Sequence, residues 1–377
     1  MRVVVIGAGV AGLALARALH GHEVEIYEEA PSLRTAGGSV TLWPGAVGIL
    51  GELGLDPGGV GEELARLGSW SCDGRRLYTV DVASIGRAVH LARRELVELL
   101  AEGVRVTYGA PVVAADPDKP EVRLADGCVV RGDVLVGADG RRSVVRHALW
   151  GADPAEPGGW VTWQGFARLP IREGYMITGR EGFCGLLHAG GGRVLWWFDV
   201  RSGPGRPLWG DEPDPVGRLK ELFGGWAEPV PSVLAAIREP DFFPHHRHKV
   251  PAVWGRGPTT LAGDSAHTMP PTMAQGANQA LEDAWALARA LGGGGPVPER
   301  LRAYERARAK VVRRPAMLAR TEMTNSHQPW FRLLPDRLMT QAFAAMLRWS
   351  GSYPITSRSS TIGRPSASDS GPSARRT

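Results

Sequence analysis

Arg2-Val3-Val4-Val5-Ile6-Gly7-Ala8-Gly9-Val10-Ala11-Gly12 opens the chain and decides how the rest is read. Arg2 to Ile6 is a short, continuous, β-branched run, which predicts a strand buried on both faces. Three spaced glycines follow at once, then a helical stretch, Leu13 to His20, and a second strand, Glu23 to Tyr27. This is a βαβ opening. Within it Gly7 allows a tight turn, Gly9 lets a pyrophosphate approach the backbone, and Gly12 lets helix and strand pack closely. The first-turn N–H groups, Ala11 among them, then face an anion at the positive end of the helix dipole. Glu28, with Glu29 beside it, ends the second strand where a carboxylate can accept from ribose hydroxyls. The segment predicts a dinucleotide site, without deciding between NAD and FAD.

The rest of the composition narrows the field. With 377 residues, 43% hydrophobic and 22% charged, the chain is neither disordered, collagen-like nor a coiled coil. The net charge is +5, yet only four of the 44 basic residues are lysines, Lys119, Lys220, Lys249 and Lys310. With 50 glycines and 29 prolines, this bias reads as GC-rich coding. The densest basic stretch, Arg300 to Arg320, lacks the interleaved aromatics of a nucleic-acid surface, so no such partner is expected. Cys72, Cys128 and Cys184 lie far apart without a CxxC pair, which argues for a reducing cytoplasm. Arg2 and the apolar residues after it imitate a signal peptide, but cleavage would discard the strand that the nucleotide site needs. No apolar run spans a bilayer. His245, His246 and His248 have no acidic or cysteine companions, and no metal is expected.

Further along, Leu91 to Glu102 reads as a helix, Val104 to Tyr108 as a strand, Asp126-Gly127 as a turn and Val134 to Val136 as a buried strand. From Pro154 to Val253 the texture changes. Strand-like stretches at Trp160–Phe166, Gly182–His188 and Val194–Val200 alternate with Gly- and Pro-rich loops, predicting a mostly antiparallel inserted sheet. The α/β texture resumes at Thr259. Helices are expected from Gly276 to Leu291 and from Glu299 to Val312, the latter stopped or kinked by Pro315. Leu338, Met339, Ala342, Phe343, Met346 and Leu347 fall on one helical face. Residues 351–377, rich in Ser, Gly, Pro and Arg, are expected to be a disordered tail.

Two later segments decide between the cofactors. Asp133-Val134-Leu135-Val136-Gly137-Ala138-Asp139-Gly140-Arg141-Arg142-Ser143 resembles the "DG" motif of flavin-dependent aromatic hydroxylases. Leu261-Ala262-Gly263-Asp264-Ser265-Ala266-His267 resembles their "GD" motif, continuing through Pro270-Pro271, Gln275 to Gln279 and Glu282-Asp283-Ala284. With the N-terminal motif, the chain resembles group A flavin monooxygenases of the p-hydroxybenzoate hydroxylase fold, nearest their salicylate and urate hydroxylase-like branch.

The resemblance implies an α/β architecture: a Rossmann-like FAD-binding domain from residues 1–70, 85–150 and 255–320. Residues 71–84 and 151–254 would form the inserted, mostly antiparallel substrate sheet, and 321–350 C-terminal helices. It implies FAD contacts at Gly7, Gly9, Ala11, Gly12, Glu28, Glu29, Thr41, Arg93, Val112, Asp139, Asp264, Gly276, Ala277 and Asn278. Asp264 would take ribityl hydroxyls, Arg93 a phosphate and Val112 adenine. The N–H groups from Gly276 onward would stabilise negative charge on the reduced flavin. For Arg93 an ion pair with Glu95 or Glu98 is the plainer alternative.

The implied chemistry uses NADPH or NADH to reduce the flavin, after which O₂ forms a C4a-hydroperoxide that passes one oxygen to an aromatic or electron-rich small molecule. No catalytic acid or base can be named. The substrate pocket is assigned to Gln164, Trp196, Phe198 and Pro271. Gln164 stands where many relatives have arginine, which argues against a substrate carboxylate held there. Ala274 stands where a glycine is usual, so a positive φ there would be strained. A dehydrogenase or oxidase on the same scaffold is the main alternative, a non-catalytic nucleotide-binding module a more distant one. No membrane association is expected, and the protein is expected to act as a monomer or homodimer.

Overall fold

A computed structural model describes residues 1–202, 212–321 and 333–351. The opening strand Arg2–Ile6 lies at the centre of a five-stranded, all-parallel sheet. Its order is Thr259–Leu261, Val134–Gly137, Arg2–Ile6, Glu23–Tyr27 and Val106–Thr107. Val3, Val4, Val5, Val134, Leu135 and Val136 are fully buried because helices cover both faces of such a sheet. Helix Val10–Ala18 packs on it and helix Gln275–Leu291 packs on that helix, and their apolar faces join one large core with Val97, Leu281 and Val312.

The second body is a seven-stranded sheet. It runs Asp241–Arg247, Glu156–Ala167, Val194–Arg201, Gly182–His188, Gly174–Thr178, Arg66–Ser71 and Arg76–Asp81. Only the pairing of Gly174–Thr178 with Arg66–Ser71 is parallel. Arg66–Ser71 therefore belongs to this sheet, so the stretch 1–70 assigned to the nucleotide-binding body runs one strand too far. Nothing in its composition sets it apart; its pairing does, with Arg76–Asp81 close by and with Gly174–Thr178 a hundred positions later.

Three local expectations need correction. The helix expected from Leu91 begins at Arg93, because Val89–Ala92 pairs with Ser39–Leu42 as a strand. The helix expected to end near Val312 spans Val297–Thr321 and continues through Pro315. Proline costs a helix interior about 3 kcal/mol, but Val312, Pro315 and Ala319 share one buried face that ties the two halves to the core. The third concerns Trp196 and Phe198. They are buried with Val194 and Val200 on the face of the sheet covered by helices Pro215–Phe223 and Val230–Ala236. Both are core residues, not substrate-pocket residues.

The last described helix, Asp336–Trp349, covers the free edge of the large sheet. Asp336 Oδ1 accepts from the Thr79 amide at 2.9 Å and Thr340 Oγ1 from the Asp81 amide at 3.0 Å. The edge N–H groups are thus occupied by side chains, which blunts the edge against strand pairing. Leu347 is buried and Phe343 and Met346 half-buried, whereas Leu338 and Ala342 face solvent. Most of the expected tail, from residue 352, lies outside the described residues, as does 322–332.

Candidate functional site

Gly7 has φ +102° and donates to the Tyr27 carbonyl at 2.8 Å, locking the turn that leaves the first strand. A Cβ on Gly12 would collide with the Gly7 carbonyl, while one on Gly9 would meet nothing within 4 Å. The middle glycine therefore faces open space. The first intrahelical bond runs from Leu13 N to Gly9 O, which leaves the N–H groups of Val10, Ala11 and Gly12 without an intrahelical partner. No side chain caps this end. Glu28, nearly buried, accepts from the amides of Ala8 at 2.8 Å and Ala30 at 3.0 Å, so it shapes the glycine loop. Glu29 points away and pairs with Arg34 in solvent. The Ala110 amide bonds to the Glu28 carbonyl at 2.9 Å, which brings Val112 to the same end.

Asp264 starts the short helix Asp264–His267, just after Gly263 at φ +64°. It is open to solvent, yet desolvation by the protein around it raises its pKa. The charge of His267 pulls the other way, followed by those of Arg93 and Arg141, so these side chains share one electrostatic environment. Arg93 donates to the carbonyls of Arg34 and Ala36, at 3.2 and 2.9 Å. The two nearby carboxylates are engaged elsewhere: Glu98 pairs with Arg94, and Glu95 with Arg193. Arg141 escaped the sequence reading, although its place directly after Asp139-Gly140 was the available signal. Asp139 serves the helix Val144–Trp150, accepting from Val144 N at 2.7 Å, and burial raises its pKa.

Helix Gln275–Leu291 begins without a side-chain cap or an acidic residue in its first turn. Gly276 and Ala277 are half-exposed, and a Cβ on Gly276 would meet nothing. Asn278, by contrast, is buried. Its Oδ1 accepts from Trp43 N and its Nδ2 donates to the carbonyls of Thr41 and Ala274, so it staples the Thr41–Trp43 segment to the helix. Thr41 is held a second time through His90, whose Nδ1 is 2.9 Å from Thr41 Oγ1. Burial, helped by the charge of His188, lowers the His90 pKa to about 3, so this histidine is neutral at physiological pH. Pro271 is exposed at the start of the turn that leads into the helix.

That turn is strained. Met273 and Ala274 adopt φ +67° and +52°, a left-handed conformation costing about 1–2 kcal/mol per residue. Trp43 Nε1 holds the Met273 carbonyl at 3.1 Å and Asn278 Nδ2 the Ala274 carbonyl at 2.6 Å. Ala274→Gly should relieve the strain and lose roughly 0.5–1 kcal/mol through its freer unfolded chain, a net gain of up to about 1.5 kcal/mol. A rise in the thermal midpoint checks this, and a fall would show that Ala274 is not strained.

Behind the Gly263–Asp264 turn lies a buried charge network. Asp283 accepts from Gly263 N at 2.8 Å and from Arg308 Nε at 2.7 Å, and lies 2.5 Å from His267 Nε2. Arg308 also donates to Glu282 Oε2 and Gln279 Oε1, both at 2.7 Å. Burial acts against Asp283, but His267 and Arg308 hold its pKa below the usual range. Burial wins at Glu282 and raises its pKa to about 7 despite Arg308. Between the unfolded value near 4.5 and about 7 the folded state therefore holds the extra proton, so stability falls as pH rises through that window. Glu282→Gln should flatten this decline in chemical denaturation between pH 5 and about 8; an unchanged slope would exclude Glu282 as its source.

Known proteins resemble this chain over most of its length. Residues 231–319 match a family model described as an FAD binding domain. The 3-amino-4-hydroxybenzoate 2-monooxygenase PtmB3 of Streptomyces platensis is 32% identical, over 87% of this chain and 89% of its own. The chain belongs to the FAD-dependent monooxygenases. Aurachin C monooxygenase/isomerase of Stigmatella aurantiaca is 31% identical, covering 82% of this chain and 85% of its own. The crystal structure of Klebsiella pneumoniae HpxO complexed with FAD and uric acid superposes with a TM-score of 0.85. It is 25% identical over 93% of this chain and 97% of that one.

As an FAD-dependent monooxygenase, the protein consumes NAD(P)H and O₂ and hydroxylates or epoxidises an electron-rich small molecule. Its own residues fit the cofactor: open space at Gly9, two uncapped helix starts and a desolvated acceptor at Asp264. Among the described residues, no helix is long and apolar enough to cross a membrane.

Proposed function

We propose that this monooxygenase holds FAD extended along the cleft from Glu28 to Gly276 and oxygenates a small aromatic molecule lying between the cleft and the seven-stranded sheet. Bound FAD would supply the redox chemistry, taking reducing equivalents from NADPH or NADH and activating O₂. The N–H groups of Val10, Ala11 and Gly12 bind the pyrophosphate, with Arg93 and Arg141 as the nearby cations. Glu28 accepts from the adenosine ribose and Val112 lies beside adenine. Asp264 accepts from ribityl hydroxyls. The free N–H groups of Gly276 and Ala277 stabilise negative charge at the pyrimidine end. Thr41 and Asn278 act by position: they fix the strand that borders the ring system.

The observation that carries this reading is the contact of Gly263, just before Asp264, with both Ala11 and Ala280, one from each of the two uncapped helices. Cys72, Cys128 and Cys184 are all free thiols, which supports a cytoplasmic enzyme. The test is a panel of phenols given to the holoenzyme with NADPH under isotopically heavy O₂. The substrate that stimulates NADPH oxidation should yield a product carrying one heavy oxygen. An oxidised product without label would instead make the protein a dehydrogenase or oxidase.

A further inference from the structure

One pleat row crosses six strands of the large sheet in register: Gln164, Trp197, Gly185, Met176, Ser69 and Tyr78. It lies on the face opposite Trp196 and Phe198, because successive side chains alternate across a strand. That face is turned to the nucleotide-binding body: Gln164 lies against Gly38, where an added Cβ would collide with its amide. A Cβ on Gly185 would likewise fall inside the Trp197 indole. The ring therefore occupies the space a side chain would take and lies flat along the sheet. Phe183 borders it with ring centroids 5.9 Å apart, and Trp197 is only half-buried.

Over these six strands the row carries no charge; on the seventh, the exposed acid Asp241 stands beside Gln164. The two rows beside it, Phe166–Leu195–Leu187 and Thr162–Asp199–Phe183–Thr178–Ser71, add one acid, Asp199, which is buried and accepts from Thr162. A carboxylate laid against this surface would lose its hydration, and Arg193, whose guanidinium lies 5.5 Å over the Phe166 ring, is already paired with Glu95. A neutral ring would gain the indole face.

We propose that Trp197, laid flat over Gly185, is the stacking platform for a neutral, planar aromatic substrate, and that Gln164 provides its uncharged polar contact. The inference rests on the monooxygenase reading for its site, but its test does not require turnover. The dissociation constants of 2-naphthol and 3-hydroxy-2-naphthoate are measured on the holoenzyme from the perturbation of flavin absorbance, with no NADPH present. 2-Naphthol should bind about tenfold or more tightly than the carboxylate. Trp197→Ala should weaken 2-naphthol about three- to tenfold, with Trp197→Phe in between. Gly185→Ala, which lifts the indole, should also weaken it, and Gln164→Arg should shift preference toward the carboxylate.

Equal binding of the two probes by the wild type, or failure of 2-naphthol to bind, overturns the proposal. So does unchanged affinity in Trp197→Phe, the variant that keeps a ring if the alanine variant fails to fold. Absence of labelled product in the oxygen experiment would overturn the oxygenase reading and leave these binding results intact.

Discussion

Arg308→Leu is expected to destabilise the protein by about 3–5 kcal/mol, the range found when one partner of a buried ion pair is removed. Arg308 is 6% exposed and is the cation that holds both Asp283 and Glu282. Leucine fills much of its volume but leaves two adjacent carboxylates in the core. Burial has already raised Glu282 to about 7, and without Arg308 it would be held neutral more strongly. Asp283 also carries the Gly263 amide, so the variant should loosen the turn that presents Asp264 and lower FAD content as well. Chemical denaturation of the holoenzyme measures the first effect and flavin absorbance per protein the second. A loss under about 1 kcal/mol would place the pair in the class of solvent-screened surface bridges.

The second large effect separates two glycines that look alike in the sequence. Gly12→Ala drives a methyl group into the Gly7 carbonyl, a backbone atom that cannot swing aside. Overpacking of this kind costs about 1–3 kcal/mol, and it falls on the apoprotein, which should unfold earlier and purify with little flavin. Gly9→Ala meets open space, so the apoprotein should keep its thermal midpoint. Its cost should appear only when the pyrophosphate arrives. Losing one charge-assisted hydrogen bond of about 1.5–3 kcal/mol would then weaken FAD about 10- to 100-fold. Titration of apoprotein with FAD, alongside thermal unfolding of both apoproteins, checks the contrast. Equal apo destabilisation in the two variants would contradict it.

Local patterns were enough for the nucleotide-binding half. The β-branched run, the glycine spacing and the two later motifs each lie within a few residues, and each demands a backbone shape that few other sequences adopt. In the structure Gly263, which precedes Asp264, lies against Ala11 and Ala280, one from each of the two uncapped helices. Asn278 belongs to the same motif, but its role turned on partners more than two hundred residues earlier, Thr41 and Trp43, which no local spacing reveals. Arg141 was legible only as a neighbour of Asp139-Gly140, because its relation to Asp264 exists across the cleft and not along the chain.

The inserted sheet shows where such reading stops. Alternation in Trp196-Trp197-Phe198 states that Trp197 opposes its neighbours, and that much the sequence determined by itself. Which face meets the cofactor body and which is sealed by Pro215–Phe223 and Val230–Ala236 depends on elements that arrive later and pack from one side. Both faces are apolar, so composition carried no label for inside or outside. The same holds for Arg66–Ser71 and for the helix that runs through Pro315: pairing and burial at a distance overrode the local signal. The sequence alone determined the chemistry, because a glycine turn that admits a pyrophosphate and a carboxylate after a buried strand are local requirements. Only the tertiary structure decided the surface presented to the substrate, because that surface is made of strands whose facing is set by what covers their backs.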